Sequence, residues 1–199
     1  MSGIRISGGK FKGRVIPFNN RAFGNADVTT GKVKEALFSL IDDLGGIGGS
    51  VFCDLFAGSG QIAFEALSRG AARVICCDAD RNRFKFIEKF ADSIGAADSM
   101  MMMNMPARDA LRLAAKRGVK PDFIFLDPPY DKSKVGGGIY QELLGEIDKR
   151  GLADEGTVVA IQHFAKNELP QTHLSFCKIK SKSYGSSALT FYRADGKGT

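Results

Sequence analysis

The stretch Ser50–Asp78, SVFCDLFAGSGQIAFEALSRGAARVICCD, decides the fold. It opens on an apolar run that reads as a strand, SVFCDLFA. The triplet GSG follows, then a helical pattern over QIAFEALSRG, then a second apolar run, ARVICCD. A short strand, a glycine turn, a helix of about ten residues and another strand make one turn of a parallel, doubly wound sheet.

The pattern repeats downstream. The spacing predicts a helix over RNRFKFIEKFADSI, a weak third strand in SMMMMNM, and a helix over ARDALRLAAKRG. It then predicts a fourth strand in PDFIFLD, a helix over GIYQELLGEIDKRG and a fifth strand in GTVVAIQHF. SFCKIKSKSYG and SALTFYRAD close the chain as an antiparallel hairpin. The Met100–Met103 run is expected to be buried strand rather than a functional methionine surface. Upstream, IRISGGKFKGRVIP alternates apolar and basic residues around Gly8 and Gly9, which reads as a small β-hairpin. Val33, Leu37, Leu40, Ile41 and Leu44 recur at helical spacing after Thr29 or Thr30, either of which can cap that helix. The expected organisation is an α/β, Rossmann-like domain over 29–199 with a mostly parallel sheet, preceded by a hairpin-and-loop extension over 1–28.

With 199 residues, of which 44% are hydrophobic and 25% charged, the chain suits one soluble domain with a small appendage. No apolar run is long enough to cross a membrane, and the first residues lack the apolar core of a secretory signal, so the expected compartment is the cytoplasm. Cys53, Cys76 and Cys77 lie in apolar strand-like runs and read as reduced core residues. Neither His163 nor His173 belongs to a ligand-spaced cluster, so no metal is expected and both are assigned packing or surface roles. The net charge of +6 hints at an acidic partner. Arg5, Lys10, Lys12 and Arg14 stand in the first fourteen residues with no acid among them. Lys178, Lys180 and Lys182 alternate with Ile179 and Ser181, a spacing that puts all three lysines on one face of a strand, either as a solvated or protected edge or as a basic surface.

Ligands of open parallel sheets sit beyond the carboxyl ends of the strands. Three such ends carry acids here: Asp54, Asp78 and Asp127. Gly58, Gly60 and Ala63 fit the G-x-G-x-x-G/A pattern of a dinucleotide loop, with Asp78 downstream to hold a ribose. Asp54 argues against that reading, because a pyrophosphate at the helix N-terminus would meet a carboxylate. S-adenosylmethionine has a sulfonium, an ammonium and no phosphate, and suits the acid. Asp54 would face its methionine end, Asp78 its ribose hydroxyls, and Asp109 its adenine amine, with a helix N-cap as the plain alternative for Asp109. The candidate cofactor set is Asp54, Phe56, Gly58, Gly60, Asp78, Ala79, Asp109 and Ala110.

The fourth strand ends in Asp127-Pro128-Pro129-Tyr130. Each proline holds its predecessor extended and removes an N–H, so the segment offers acceptors and almost no donors. Acceptors that grip the hydrogens of an exocyclic amine free its lone pair and stabilise charge developing on nitrogen. Tyr130 can stack on the ring of a base held outside its helix. A strand-ending turn is the plainer reading of the same residues.

These residues resemble the [DNS]-PP-[YFW] motif of S-adenosylmethionine-dependent methyltransferases that act on planar nitrogens. The whole chain resembles the RsmD family of 16S ribosomal RNA guanine-N2 methyltransferases. The matching stretches are ISGGKFKGR (Ile6–Arg14), TTGKVKEALFSLI (Thr29–Ile41), DLFAGSG (Asp54–Gly60), EALSRGA (Glu65–Ala71), DPPY (Asp127–Tyr130) and YGSSALTFYR (Tyr184–Arg193). The family usually reads Arg-Pro-Thr-Thr-Asp-Arg where this chain has Asp27-Val28-Thr29-Thr30-Gly31-Lys32, and Ala79, Gln61 and Phe64 are further departures. The resemblance implies 16S rRNA as the substrate; the expected form is a monomer acting on an assembled or assembling small subunit. It also implies that the hairpin and the TTGKVK segment hold RNA, through Arg5, Lys10, Lys12, Arg14, Thr29, Thr30, Lys32 and Lys34. The rival expectations are a DNA amino-methyltransferase acting on adenine N6 or cytosine N4, a non-catalytic rRNA-binding assembly factor and, more distantly, a dinucleotide oxidoreductase.

Overall fold

The computed structural model describes residues 3–23, 29–129 and 138–196; Asp27, Val28 and Tyr130 lie outside the described residues. The chain forms two compact units, Met1–Ala107 and Arg108–Thr199.

In the first unit, β1 (Ile4–Arg5) and β2 (Val15–Ile16) pair antiparallel, Ile4 opposite Ile16, as the expected hairpin. Helix α1 (Gly31–Asp43) starts where Thr30 Oγ1 accepts from the Val33 N–H at 3.4 Å. Its apolar stripe of Val33, Leu37, Leu40 and Ile41 is buried. Strands β3 (Val51–Asp54), β4 (Arg73–Cys77) and β5 (Met100–Met103) run parallel in the spatial order β5-β4-β3. Helices α2 (Gln61–Ser68) and α3 (Arg81–Ser93) connect them. Asp80 caps α3, accepting from the N–H groups of Asn82 at 2.8 Å and Arg83 at 2.9 Å. In β5, Met100 and Met103 are buried while Met101 and Met102 are half-buried, as suits an outermost strand. Cys53, Cys76 and Cys77 are buried free thiols, as their apolar surroundings require.

The second unit takes up α4 (Ala107–Lys116) just after its first residue. It continues through β6 (Phe123–Leu126), α5 (Gly138–Lys149) and β7 (Val158–Phe164). Three further strands follow: β8 (Thr172–His173), β9 (Phe176–Tyr184) and β10 (Ser187–Ala194). Strands β6 and β7 are parallel, with Ile124 opposite Val159; β10, β9 and β8 are added antiparallel in the order β6-β7-β10-β9-β8. Short β8 lengthens the expected two-stranded hairpin to three strands. His163 is buried in the sheet, with Nδ1 2.9 Å from Phe164 O and Nε2 2.8 Å from Thr190 Oγ1. Burial lowers its pKa, so the ring serves as a neutral packing group. Among the described residues no helix is long and apolar enough to cross a membrane.

The lysine stripe departs from expectation. Lys180 pairs with Phe191, but the next partner, Tyr192, faces Lys178, so Ile179 is an extra residue in β9. Such a bulge resets the alternation of the strand. Lys180 and Lys182 keep the face of Phe191 and Leu189, whereas Lys178 falls on the opposite face with Tyr192. Lys178 Nζ is spent on the Leu169 carbonyl at 2.5 Å. The three lysines are therefore not one basic row.

Candidate functional site

Asp54, the last residue of β3, is fully buried. Its Oδ1 accepts from the Phe56 N–H at 3.3 Å, which turns the chain into the glycine loop. The loop is tied to the end of β4: Ala57 N–H donates to Cys77 O at 2.9 Å, and Gly58 N–H donates to Asp78 Oδ2 at 2.7 Å. Asp78 Oδ1 accepts from the Asp80 N–H at 2.8 Å. Asp78 and Gly58, chosen separately from the sequence, are thus in direct contact. A carboxylate has about four acceptor positions, so each oxygen of Asp78 retains capacity for a hydroxyl donor.

The two glycines do different work. Both have positive φ, +55° at Gly58 and +75° at Gly60, which favours glycine at either. A Cβ on Gly60 would lie 2.7 Å from the Phe64 ring and 3.2 Å from Ile87, so that position is closed by packing. A Cβ on Gly58 would approach nothing nearer than Phe56 O at 3.9 Å, so the loop is open above it. Phe64, unusual for its position in the sequence, is fully buried and meets Phe90 edge-on at 4.9 Å between centroids. Its bulk forms the floor under Gly60. Half-buried Phe56 and exposed Ala79 flank the loop and the end of β4 respectively.

Acid dominates the electrostatics of this loop. Burial first, and then the N–H groups of Asp80 and Gly58 acting in the opposite sense, leave the Asp78 carboxyl above its ordinary pKa. Burial raises the Cys76 thiol far out of reach of ionisation, with Asp54, Cys77 and Asp78 adding to the effect. Cys77 is pushed up to about 12, by burial and then by Asp78. These thiols are inert, and both carboxylates bear on the same short stretch of β4. A cation is favoured there and a phosphate is not.

In the second unit, Asp109 lies inside the first turn of α4 and pairs with Arg112 at 2.9 Å. It does not precede the helix, so the N-cap alternative is corrected: a cap must sit outside the first turn, with extended backbone. Half-exposed Asp109 is followed by Ala110, which is buried. Strand β6 is buried throughout and delivers half-buried Asp127, buried Pro128 and exposed Pro129 at its carboxyl end.

Arg5, Lys10, Lys12, Arg14, Thr30 and Lys32 are exposed, and Thr29 is buried. Lys34 is not available to a phosphate, which corrects its assignment to RNA. Its side chain is 4% exposed, and its ammonium lies 2.9 Å from Glu65 Oε2 and donates to Arg5 O at 2.6 Å. Lys34 shares the apolar face of α1 with Leu37, Phe38 and Ile41, and that spacing is the signal that could have placed it inside.

Its partner was missed altogether. Glu65 is fully buried and accepts from Ser7 N–H at 2.9 Å, Ser7 Oγ at 2.8 Å, Gly8 N–H at 2.8 Å and Arg69 Nε at 2.9 Å besides Lys34. An acid within the apolar run IAFEAL needs such partners, and this was the clue in the sequence. Gln61 and Ser68 lie on the same face of α2, at helical spacing. Gln61 Nε2 donates to Thr29 O at 2.7 Å, and Ser68 holds the hairpin turn. The buried polar face of α2 therefore fastens both N-terminal segments that were expected to meet RNA.

The family described as Conserved hypothetical protein 95 matches residues 4–193. The chain is 32% identical over 195 residues to the YlbH protein of Bacillus subtilis, covering 97% of this chain and 100% of that one. It is 28% identical over 196 residues to ribosomal RNA small subunit methyltransferase D of Escherichia coli K12, covering 98% of this chain and 92% of that one. The solved RNA methyltransferase from Salinibacter ruber in complex with S-adenosyl-L-homocysteine aligns with a TM-score of 0.63. It is 17% identical and covers 86% of this chain and 95% of that one, a likeness of fold, that of the class I methyltransferases.

Proposed function

The chain belongs to the Conserved hypothetical protein 95 family, the RsmD family of methyltransferases, and from that premise we propose that it methylates the exocyclic N2 of a guanine in 16S ribosomal RNA. S-adenosylmethionine is the donor, and when bound it supplies an electrophilic methyl group on a sulfonium. The observation that carries the reading is the glycine loop between buried Asp54 and Asp78, with open space above Gly58. A nucleoside bearing positive charge and no phosphate fits such a loop, because its ribose can share Asp78 and its cationic end offsets the acid.

In this reading Asp54, Phe56, Gly58, Gly60, Asp78 and Ala79 hold the donor, and Asp109 and Ala110 border its adenine. Asp127 and the carbonyls around Pro128 and Pro129 grip the amine hydrogens. They turn the nitrogen lone pair toward the methyl and stabilise the charge that grows on nitrogen. Tyr130 stacks on the guanine, which leaves its helix to reach the pocket. No acid or base need be metal-bound; most of the acceleration comes from positioning. The 1–28 extension contacts RNA beside a catalytic domain over 29–199. The enzyme acts as a cytoplasmic monomer on an assembled or assembling small subunit.

The test is transfer of labelled methyl to naked 16S rRNA, small subunits and DNA, followed by mapping of the modified base. Label at a guanine N2 of 16S rRNA is the expected result. Label on DNA adenine or cytosine, or cofactor binding without any transfer, would replace this reading with the DNA enzyme or the non-catalytic assembly factor.

A further inference from the structure

The turn of the N-terminal hairpin is fastened to the C-terminal end of α2 more closely than a solvated loop needs. Lys10 N–H donates to Ser68 O at 2.7 Å, Phe11 N–H donates to Ser68 Oγ at 2.8 Å, and Ser68 Oγ donates to Gly8 O at 2.5 Å. A Cβ on Gly9 would stand 1.6 Å from Ser68 O, so only glycine lets the two backbones close. Just upstream, Glu65 holds the N–H groups of Ser7 and Gly8. The turn is thereby a fixed platform. Its exposed side chains are Lys10, Lys12 and Arg14, and among them sits the half-buried ring of Phe11. Lys10 Nζ lies 5.3 Å from the centroid of that ring.

An aromatic ring among cations on an immobile backbone has the composition of a single-strand binding site. The cations neutralise phosphates, and the ring stacks on whichever base is unpaired. We propose that Phe11 stacks on an unpaired base of single-stranded RNA, with Lys10, Lys12 and Arg14 on the adjoining phosphates. Ser68 and Glu65 act through the backbone as positioning residues. The proposal rests on RNA as the substrate and adds to it a residue and a class of target: an unstacked base of a single-stranded segment.

Two fluorescent oligomers of equal length separate stacking from charge. One is a mixed-sequence oligoribonucleotide, the other an abasic chain with the same phosphates. Phe11→Leu, which keeps apolar bulk, weakens binding of the first about tenfold and leaves the second unchanged. Phe11→Trp retains the parent's affinity for both. Lys12→Ala weakens both and makes the salt dependence shallower. Ser68→Ala lowers the ratio of the two affinities toward that of Phe11→Leu. A Phe11→Leu protein with the parent's ratio overturns the proposal, as does one that loses affinity for both oligomers equally. A parent that binds neither oligomer overturns the RNA reading as well, whereas failure to bind S-adenosylmethionine in calorimetry sinks the proposed reaction and leaves the stacking result standing.

Discussion

Replacing Glu65 by glutamine tests the buried node that joins the N-terminal hairpin, α1 and α2. The carboxylate is fully buried and takes hydrogen bonds from Ser7, Gly8, Lys34 and Arg69. Glutamine keeps the shape and one oxygen, but it carries no charge and turns an N–H₂ group toward donors. The Lys34 side chain, 4% exposed, then loses its anionic partner and keeps a neutral carbonyl, Arg5 O. Breaking a buried pair from one side typically costs about 3–5 kcal/mol. For a chain of this length that corresponds to a fall in Tm of roughly 10 °C. Urea unfolding followed by circular dichroism measures it, and Glu65→Gln/Lys34→Met should recover part of the loss, because both charges then leave together. The pH dependence supplies a second check. Burial alone would raise the Glu65 pKa, but the Ser7, Lys34 and Arg69 donors outweigh it and hold the group below its ordinary value. A depressed folded-state pKa means that the stabilisation is fully present above the unfolded value, about 4.3, and fades as the pH falls through the folded one. Parent and Glu65→Gln should therefore converge only once the pH has fallen below the depressed folded-state value. A variant within about 1 kcal/mol of the parent at neutral pH would refute the reasoning, since surface pairs are worth no more than that.

The remaining predictions concern the loop and the acids. Gly60→Ala should lose roughly 2–4 kcal/mol of stability, from left-handed backbone and the collision with Phe64. Gly58→Ala should lose only about 1–2 kcal/mol in urea unfolding but bind S-adenosylmethionine more weakly in calorimetry, because its methyl enters the open space. Equal effects at the two glycines would contradict the division drawn between them. Asp78→Ala should weaken cofactor binding by about 1.5–3 kcal/mol and also loosen the loop, which loses its hold on Gly58; unchanged calorimetric affinity would move the cofactor elsewhere. Asp127→Ala should leave cofactor affinity nearly intact and slow single-turnover methylation roughly 10²–10³-fold, with Asp127→Asn in between. A parental rate would reduce the Asp-Pro-Pro-Tyr segment to a turn.

Much of this molecule is written locally. The helical spacing of Val33, Leu37, Leu40 and Ile41, the cap at Thr30, and the apolar runs of β3, β4, β6 and β7 each follow from neighbours within a few residues. The placement of the glycines and the acids at strand ends was likewise readable, since it follows from where each apolar run stops. Chain-distant partners were not. Lys34 looked like a surface cation because its counter-ion, Glu65, belongs to another helix, and Glu65 reaches Ser7 across 58 residues of sequence. The lysine row failed for a related reason. Alternation in β9 is set by pairing with β10, and a single extra residue at Ile179 sends Lys178 to the other face. Periodicity is a property of a segment by itself. The destination of a charge and the register of an edge strand depend on what the fold brings against them, so only the tertiary structure decided those.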